Sequence, residues 1–249
     1  MDLTDLTLIV PTKNEAHNIQ RFLEAIPPEV SILIVDASSD GTDDIVRRHG
    51  RHQIRILRDG GNIATARQLG AERAQTEWLL FTDADVIFAG EYFRTLAALQ
   101  ADPRWGGIAG AKLSMDRHRF YYRIFSLGMR LLCAMGIPAA SGSNMLVRRQ
   151  ALLAVDGFDR RLSCNEDSEL MWRIRRHGYQ VVYRGGLKVH EFDHRRLDDG
   201  LVRKTLHSLA RCALLFFDLM PEALRKHDWG YWRRGLPAAP PKTRLITFL

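Results

Sequence analysis

Trp78-Leu79-Leu80-Phe81-Thr82-Asp83-Ala84-Asp85 is the stretch on which the fold turns. Its first five residues read as a short buried strand, and that strand runs straight into two aspartates separated by one alanine. Upstream, Ala64 to Ala74 favours helix. Ile54 to Leu57 reads as another strand, and Ser31 to Val35 as one more, followed by the turn-rich Ser38-Ser39-Asp40-Gly41 and a helix that ends near Gly50. Leu6 to Val10 is an apolar run that Pro11 is expected to stop. After it, Ile19, Phe22, Leu23 and Ile26 share one helical face until Pro27 and Pro28 end the helix. Strand and helix thus alternate four times. Such alternation predicts a parallel sheet covered by helices on both faces, with ligands gathered beyond the carboxyl ends of the strands. The polar segments after Val10, Val35 and Thr82 all lie at that edge. Further on, the sequence predicts a strand at Asn144 to Val147, a helix from about Glu166 to His177 stopped by Gly178, and a strand at Gln180 to Tyr183.

With 249 residues, 46% of them hydrophobic, the chain is long enough for one sizeable core. Its net charge of +7 favours an anionic partner without saying which. Cys133, Cys164 and Cys212 are widely spaced, which suits reduced thiols better than a disulfide framework or a zinc knuckle. The opening Met1-Asp2-Leu3-Thr4-Asp5 is acidic and lacks an apolar core, so no signal peptide is expected and the catalytic region is expected to face the cytoplasm.

Asp83 and Asp85 are expected to project on one side of the sheet, as residues i and i+2 of an extended chain do. At about 5 Å and an effective dielectric near 20, their charges repel by roughly 3 kcal/mol, a cost that a divalent cation removes. Magnesium and manganese prefer such oxygen ligands, completed by phosphate oxygens and water. Alone, D-x-D after a strand is a weak motif, and a solvated loop is its ordinary explanation.

Other segments strengthen it. Ile9-Val10-Pro11-Thr12-Lys13-Asn14-Glu15, Ile34-Val35-Asp36-Ala37-Ser38-Ser39-Asp40-Gly41-Thr42, Arg67 and Asp83-Ala84-Asp85 are followed in order by Gly142-Ser143-Asn144, Gly157-Phe158-Asp159 and Glu166-Asp167-Ser168-Glu169-Leu170-Met171-Trp172-Arg173. Together, over about residues 6 to 192, they resemble family 2 glycosyltransferases. The resemblance implies an α/β GT-A nucleotide-diphospho-sugar transferase fold, a mostly parallel central sheet flanked by helices, with a helical C-terminal extension. The expected divisions are a catalytic domain over 1–195, the helical extension over 196–235, and a flexible tail over 236–249 that contains the Pro-rich run from Pro237 to Pro241.

The implied reaction is inverting transfer of a hexose or related sugar from a nucleoside diphosphate to an acceptor hydroxyl, of which a lipid-linked or cell-envelope glycan is one candidate. By the same resemblance Pro11, Thr12 and Glu15 line the nucleoside pocket, Asp36 accepts a hydrogen bond from the base, and Arg67 approaches the diphosphate or closes the nucleotide pocket. Asp83 lies nearer the ribose or sugar, and Glu166 joins the substrate-binding residues. Asp85 is the main ligand of a Mn2+ or Mg2+ ion, with His190 as a further ligand, and Asp167 is the catalytic base. Uridine is the expected base. Ala37 stands where many relatives carry a second aspartate, which leaves guanosine and thymidine open. The Q-x-x-R-W pattern of processive synthases is lacking, so single-sugar addition is expected. Thr12 and Glu15 also fit a helix capping box, and Asp167 also fits a helix cap.

Three further patterns need an account. His190-Glu191-Phe192-Asp193-His194 is a literal H-E-x-x-H, but a zinc protease needs both histidines on one helical face, and the preceding residues suggest strands. The basic balance, with Arg117, Arg119, Arg123 and Arg130, allows a non-catalytic nucleotide- or nucleic-acid-binding protein. The sheet-edge carboxylates would repel phosphates unless a metal intervened, so no nucleic-acid partner is expected. Phe120 to Leu132 and Leu209 to Met220 are apolar stretches interleaved with arginine, too short to span a bilayer. A peripheral position on the inner face of the cell membrane, packing on the domain and a homodimer interface all fit them.

Overall fold

The computed structural model describes residues 1–192, 194–198 and 200–227. The strands are β1 (Leu6–Thr12), β2 (Ser31–Asp36), β3 (Ile54–Arg58), β4 (Trp78–Phe81), β5 (Val86–Phe88), β6 (Trp105–Ser114), β7 (Met145–Arg148) and β8 (Gln180–Glu191). The helices are α1 (Ile19–Glu24), α2 (Thr42–Arg48), α3 (Ile63–Arg73), α4 (Tyr92–Ala97), α5 (Arg119–Ala134), α6 (Arg149–Leu153), α7 (Glu166–Arg176), α8 (Arg195–Asp198), α9 (Leu201–Phe216) and α10 (Glu222–Arg225). One sheet has the strand order β3-β2-β1-β4-β7-β6-β8-β5. Its β1, β2, β3 and β4 are mutually parallel, β7 and β5 run against their neighbours, and β6 pairs parallel with β8. The expected mostly parallel sheet is therefore present.

Period-two burial explains the layers. Leu6, Leu8 and Val10 of β1, Ile32 and Ile34 of β2, and Trp78 and Leu80 of β4 face one cluster, which α1, α2 and α4 cover with Phe22, Val46 and Tyr92. Ile9, Leu33, Leu79 and Phe81 point the other way, onto Ala64 and Ala71 of α3 and Leu170 and Met171 of α7. A sheet buried on both faces needs the near-continuous apolar runs that the sequence shows.

Four expectations change. Pro11 does not stop β1, which continues to Thr12. Odd residues of β1 turn their peptide groups toward β4, where the Thr82 amide donates to the Ile9 carbonyl, and that ladder ends at the Ile9–Phe81 pair. Pro11 thus lacks an N–H only where no acceptor waits. Second, β8 runs to Glu191 instead of ending at Tyr183. Third, β6 emerges from Trp105-Gly106-Gly107, whose glycines mask a strand in the sequence. A Cβ on Gly107 would lie 2.5 Å from Met171 Sδ, so any larger residue there would push the Met171 side chain of α7 out of its place against β6. Fourth, the D-x-D lies in the turn between β4 and β5 and not on an extended strand end.

After β8 the chain turns into α8, α9 and α10. Leu215 and Met220 pack with Trp172 of α7 and Leu162. The buried Arg211 donates to the carbonyls of Leu224 (2.6 Å) and Arg225 (3.2 Å). The helical stretch expected after residue 195 is thus docked against the helix that begins with Glu166 and Asp167. Residues 228–235 of the expected extension and the tail over 236–249, with its Pro-rich run, lie outside the described residues.

Candidate active site

Register sets the ends of β1, β2 and β3 level, since Thr12 pairs with Asp36 and Asp36 with Arg58. Asp36 is buried, and its Oδ1 accepts from Thr12 Oγ1 (2.7 Å) and Ser38 Oγ (2.6 Å). Arg58 forms an ion pair with Oδ2 and reaches Asp43 with its other nitrogen. Arg58 escaped the sequence reading, although it directly follows the apolar run at the same edge. The capping-box alternative for Thr12 and Glu15 fails here. Helix α1 starts only at Ile19, the Thr12 hydroxyl serves Asp36, and the Glu15 carboxylate accepts from Asn18 Nδ2 (2.7 Å).

Arg67 is the hub of the next layer. It rises from α3 into the interior, 3% exposed, and is ion-paired to both Glu166 and Asp83, the latter at 2.9 Å. Gly142 leaves it room, because a Cβ there would fall 2.2 Å from Arg67 Nη1. The next residue, Ser143, donates to Asp83 Oδ2 (2.7 Å) and accepts from Lys112 Nζ (3.0 Å). Asn144 then binds the carbonyls of Ala111 (3.0 Å) and Leu187 (2.9 Å) and accepts from the buried Tyr92 hydroxyl (2.7 Å), stitching β7 to β6 and β8. Each residue of Gly142-Ser143-Asn144 therefore has a separate geometric duty.

Asp85 stands apart from Asp83 in having Oδ1 shielded from solvent with no hydrogen-bond partner. Burial, then Glu191 and Asp83, hold its carboxyl well above the ordinary carboxylate range. The two aspartates do repel one another as expected, but the turn brings them together and not strand alternation. Lys112, also missed in the sequence, forms an ion pair with Glu191. Burial alone would pull its ammonium down, yet Glu191, Asp83 and Asp85 hold it above its usual value. No motif announces a lysine near the end of a strand hidden by glycines. His190 does not join this group. Successive residues of β8 project to opposite faces, so it lies across the strand from Glu191, its Nδ1 is unpartnered, and burial and Lys188 lower its pKa.

Among the described residues, no three His, Cys, Asp or Glu side chains are grouped to hold a cation unaided. Asp85 nonetheless fits a divalent ion, because it offers a buried oxygen without a partner in a pocket of excess carboxylate, and diphosphate oxygens ordinarily complete such a shell. H-E-x-x-H forms no zinc site of the protease kind. His190 is on β8, whereas His194 follows the strand and turns its ring to Asp116 (2.7 Å) and Tyr122 (3.4 Å).

Asp167 is the second residue of α7. Its Oδ2 accepts from the Gly142 amide and its Oδ1 from the Ser168 amide, both at 2.7 Å. It therefore braces the Gly142 loop and also satisfies one free first-turn amide of α7, while Asn165 at the N-cap position makes no side-chain capping bond. Glu166, Asp167 and Glu169 in one first turn are favoured by the exposed amides there.

The raised Asp85 pKa sets a test on metal-free protein. The unfolded carboxyl ionises around 3.8. Above that pH the native state holds the extra proton, so this group's stabilisation, complete below 3.8, is lost as pH rises through the folded value. Thermal melts in EDTA should show a flatter pH profile for Asp85→Asn and a higher melting point at neutral pH, by about 2–4 °C for each kcal/mol gained. A profile that matches the parent would mean that the carboxyl is not destabilised.

An eight-stranded, mostly parallel sheet with its acidic turn and helix start at one carboxyl edge defines the GT-A fold of glycosyltransferases. The chain belongs to glycosyl transferase family 2, whose model matches residues 7–155. It is 25% identical over 217 residues to the pre-mycofactocin glycosyltransferase of Mycobacterium tuberculosis, an alignment covering 82% of this chain and 46% of that protein. The chain thus spans about half the length of that relative. Among solved structures, the mannosyltransferase PcManGT from Pyrobaculum calidifontis, in complex with GDP-Man and Mn2+, aligns with a TM-score of 0.63 and 23% identity, over 83% of this chain and 64% of that one. S. aureus TarS in complex with UDP-GlcNAc aligns with a TM-score of 0.62 and 15% identity, over 88% and 72% of the two chains.

Proposed function

We propose that this protein transfers a hexose or related sugar from a nucleoside diphosphate to an acceptor hydroxyl, with inversion at the anomeric carbon. One observation carries the reading. Arg67 ties Asp83 to Glu166, so that the D-x-D turn and the start of α7, far apart in sequence, flank a single buried guanidinium. A donor's diphosphate and the acceptor's attacking oxygen need opposite sides of one reacting carbon, and this hub sets the two carboxylate groups that would serve them.

In this reading Pro11, Thr12, Glu15 and Asp36 form the nucleoside pocket at the level ends of β1 and β2. Asp36 would engage the base once Arg58, half exposed, swings from its Oδ2. Arg67, with Glu166 fixing it, orients Asp83 toward the ribose or sugar. Asp85 would hold a Mn2+ or Mg2+ ion, whose charge offsets that growing on the departing diphosphate. Glu191 and Lys112 border Asp85, and His190 has no part. Asp167 takes the proton of the acceptor hydroxyl. Residues 1–195 make up the catalytic unit and the helices after it brace α7. Cys133, Cys164 and Cys212 are half-buried and none is in a disulfide, which suits a reducing cytoplasmic setting. UDP is the first donor to try and GDP the second, since the two structural neighbours hold one each.

Native mass spectrometry against a panel of nucleotide sugars tests this. One nucleoside-diphosphate sugar is expected to bind, with binding lost in EDTA and restored by Mn2+, and NMR should find a β-linked product from an α-linked donor. Failure of every nucleotide sugar to bind, or retention of configuration, would overturn the proposal.

A further inference from the structure

Helix α5 has two dissimilar faces. Inward, the Ser126 hydroxyl donates to the Lys112 carbonyl (2.7 Å) and accepts from its amide (3.1 Å), and the Tyr122 ring lies 6.0 Å from the Lys112 ammonium. Outward, Phe120, Ile124, Leu127, Leu131 and Met135 recur at helical spacing and are 52% to 78% exposed. A five-residue apolar stripe in contact with water is costly enough to need a partner. Helix α9 joins α5 through Lys204, which donates to Tyr121 Oη (2.7 Å), and it leaves Val202, Leu206 and Leu209 exposed on its own outer face.

Charge identifies the partner. Together α5 and α9 contain six Arg or Lys residues, of which Arg211 is buried, and no Asp or Glu. Arg119, Arg123 and Arg130 are exposed and flank the α5 stripe. Two acids just outside these helices, Asp116 and Asp198, are already engaged, by His194 and by Arg117 with His118. A stripe this basic would repel a copy of itself in a two-fold dimer, whereas apolar side chains ringed by arginine match the boundary of an anionic bilayer. No described helix is long and apolar enough to cross a membrane, so the contact is with the surface.

We propose that the outer faces of α5 and α9 dock on an anionic lipid surface and thereby hold the Lys112 side of the site beside it. Since the opposite face of α5 carries the contacts to Lys112, the site would lie about one helix diameter, roughly 10–12 Å, from the lipid boundary. At that height the acceptor is a hydroxyl compound anchored in the membrane. This second step rests on the transferase reading, whereas the docking itself does not.

The test is co-sedimentation of the full chain with vesicles of phosphatidylcholine alone or mixed with phosphatidylglycerol, in the absence of donor. Tighter binding to the anionic vesicles is expected, by roughly tenfold or more, and weakening with salt. Ile124→Asp with Leu131→Asp should lower it by on the order of 10²-fold while circular dichroism and nucleotide binding stay unchanged. Arg123→Gln with Arg130→Gln, which spares the apolar stripe, should remove most of the preference for anionic lipid. Equal binding to both vesicle types, or none, would overturn the proposal. So would a solution dimer that ignores vesicles and dissociates when Ile124 and Leu131 are replaced, since a second copy would then cover the stripe. Vesicle binding without any nucleotide-sugar binding would instead retain the docking and defeat the transferase reading.

Discussion

Asp167→Asn is expected to lower the rate of sugar transfer by on the order of 10² or more while donor and metal binding stay near normal. Inversion needs one base on the face opposite the leaving diphosphate, and the amide cannot take the acceptor's proton. The structure sharpens the control. Besides any proton transfer, Asp167 accepts from the Gly142 amide and from the first-turn Ser168 amide of α7 with separate oxygens. Asparagine has one oxygen for two donors, and its amide group must face the remaining N–H. A stability loss of about 1–2 kcal/mol should accompany the substitution. If bracing were the only role, the Gly142 loop and Arg67 behind it would loosen, and the KM for donor would rise. A fall in kcat with unchanged KM, in protein shown folded by thermal melting, identifies the base. Near-normal kcat would remove Asp167 from the mechanism.

Asp85→Asn is expected to weaken Mn2+ binding, measured by calorimetry in the presence of nucleoside diphosphate, by at least the roughly 10–100-fold that loss of a supporting partner costs a metal site. The amide keeps an oxygen but loses the charge. Asp83 is a poorer substitute, since its two oxygens already accept from Arg67 and Ser143. The same substitution should raise the stability of the metal-free protein, as argued from the raised carboxyl. A residue that costs stability when empty and supports binding when occupied has the signature of a ligand, and unchanged Mn2+ affinity in the variant would argue against that role.

Much of this architecture was legible along the chain because it depends on local pattern. Leu6 to Val10, Ser31 to Val35 and Trp78 to Phe81 are apolar but for Thr7 and Ser31, as strands covered on both faces must nearly be, and the intervening helices keep their own period. The charged residues directly beyond those runs had to stand at one edge. Strand β6 escaped notice because Gly106 and Gly107 lack β propensity, and they are used for close contact with Tyr179 and Met171. Lys112 and its ion pair escaped with it, as did Arg58, whose value depends on two neighbouring strands in register.

By itself, then, the sequence determined the parallel strands β1 to β4, the two covered faces, the edge that gathers carboxylates and the family that uses such an edge. Only the tertiary structure decided how the carboxylates divide. Asp83 is tied to Arg67 and Ser143, Asp85 is left with a buried oxygen unpartnered, Glu191 and not His190 borders Asp85, and Asp167 braces a loop. The reason is physical. Burial periodicity is a property of each segment and survives in one dimension, whereas the state of a carboxylate depends on which cation, amide or like charge lies within a few ångströms, and here those neighbours come from strands and helices distant in the chain.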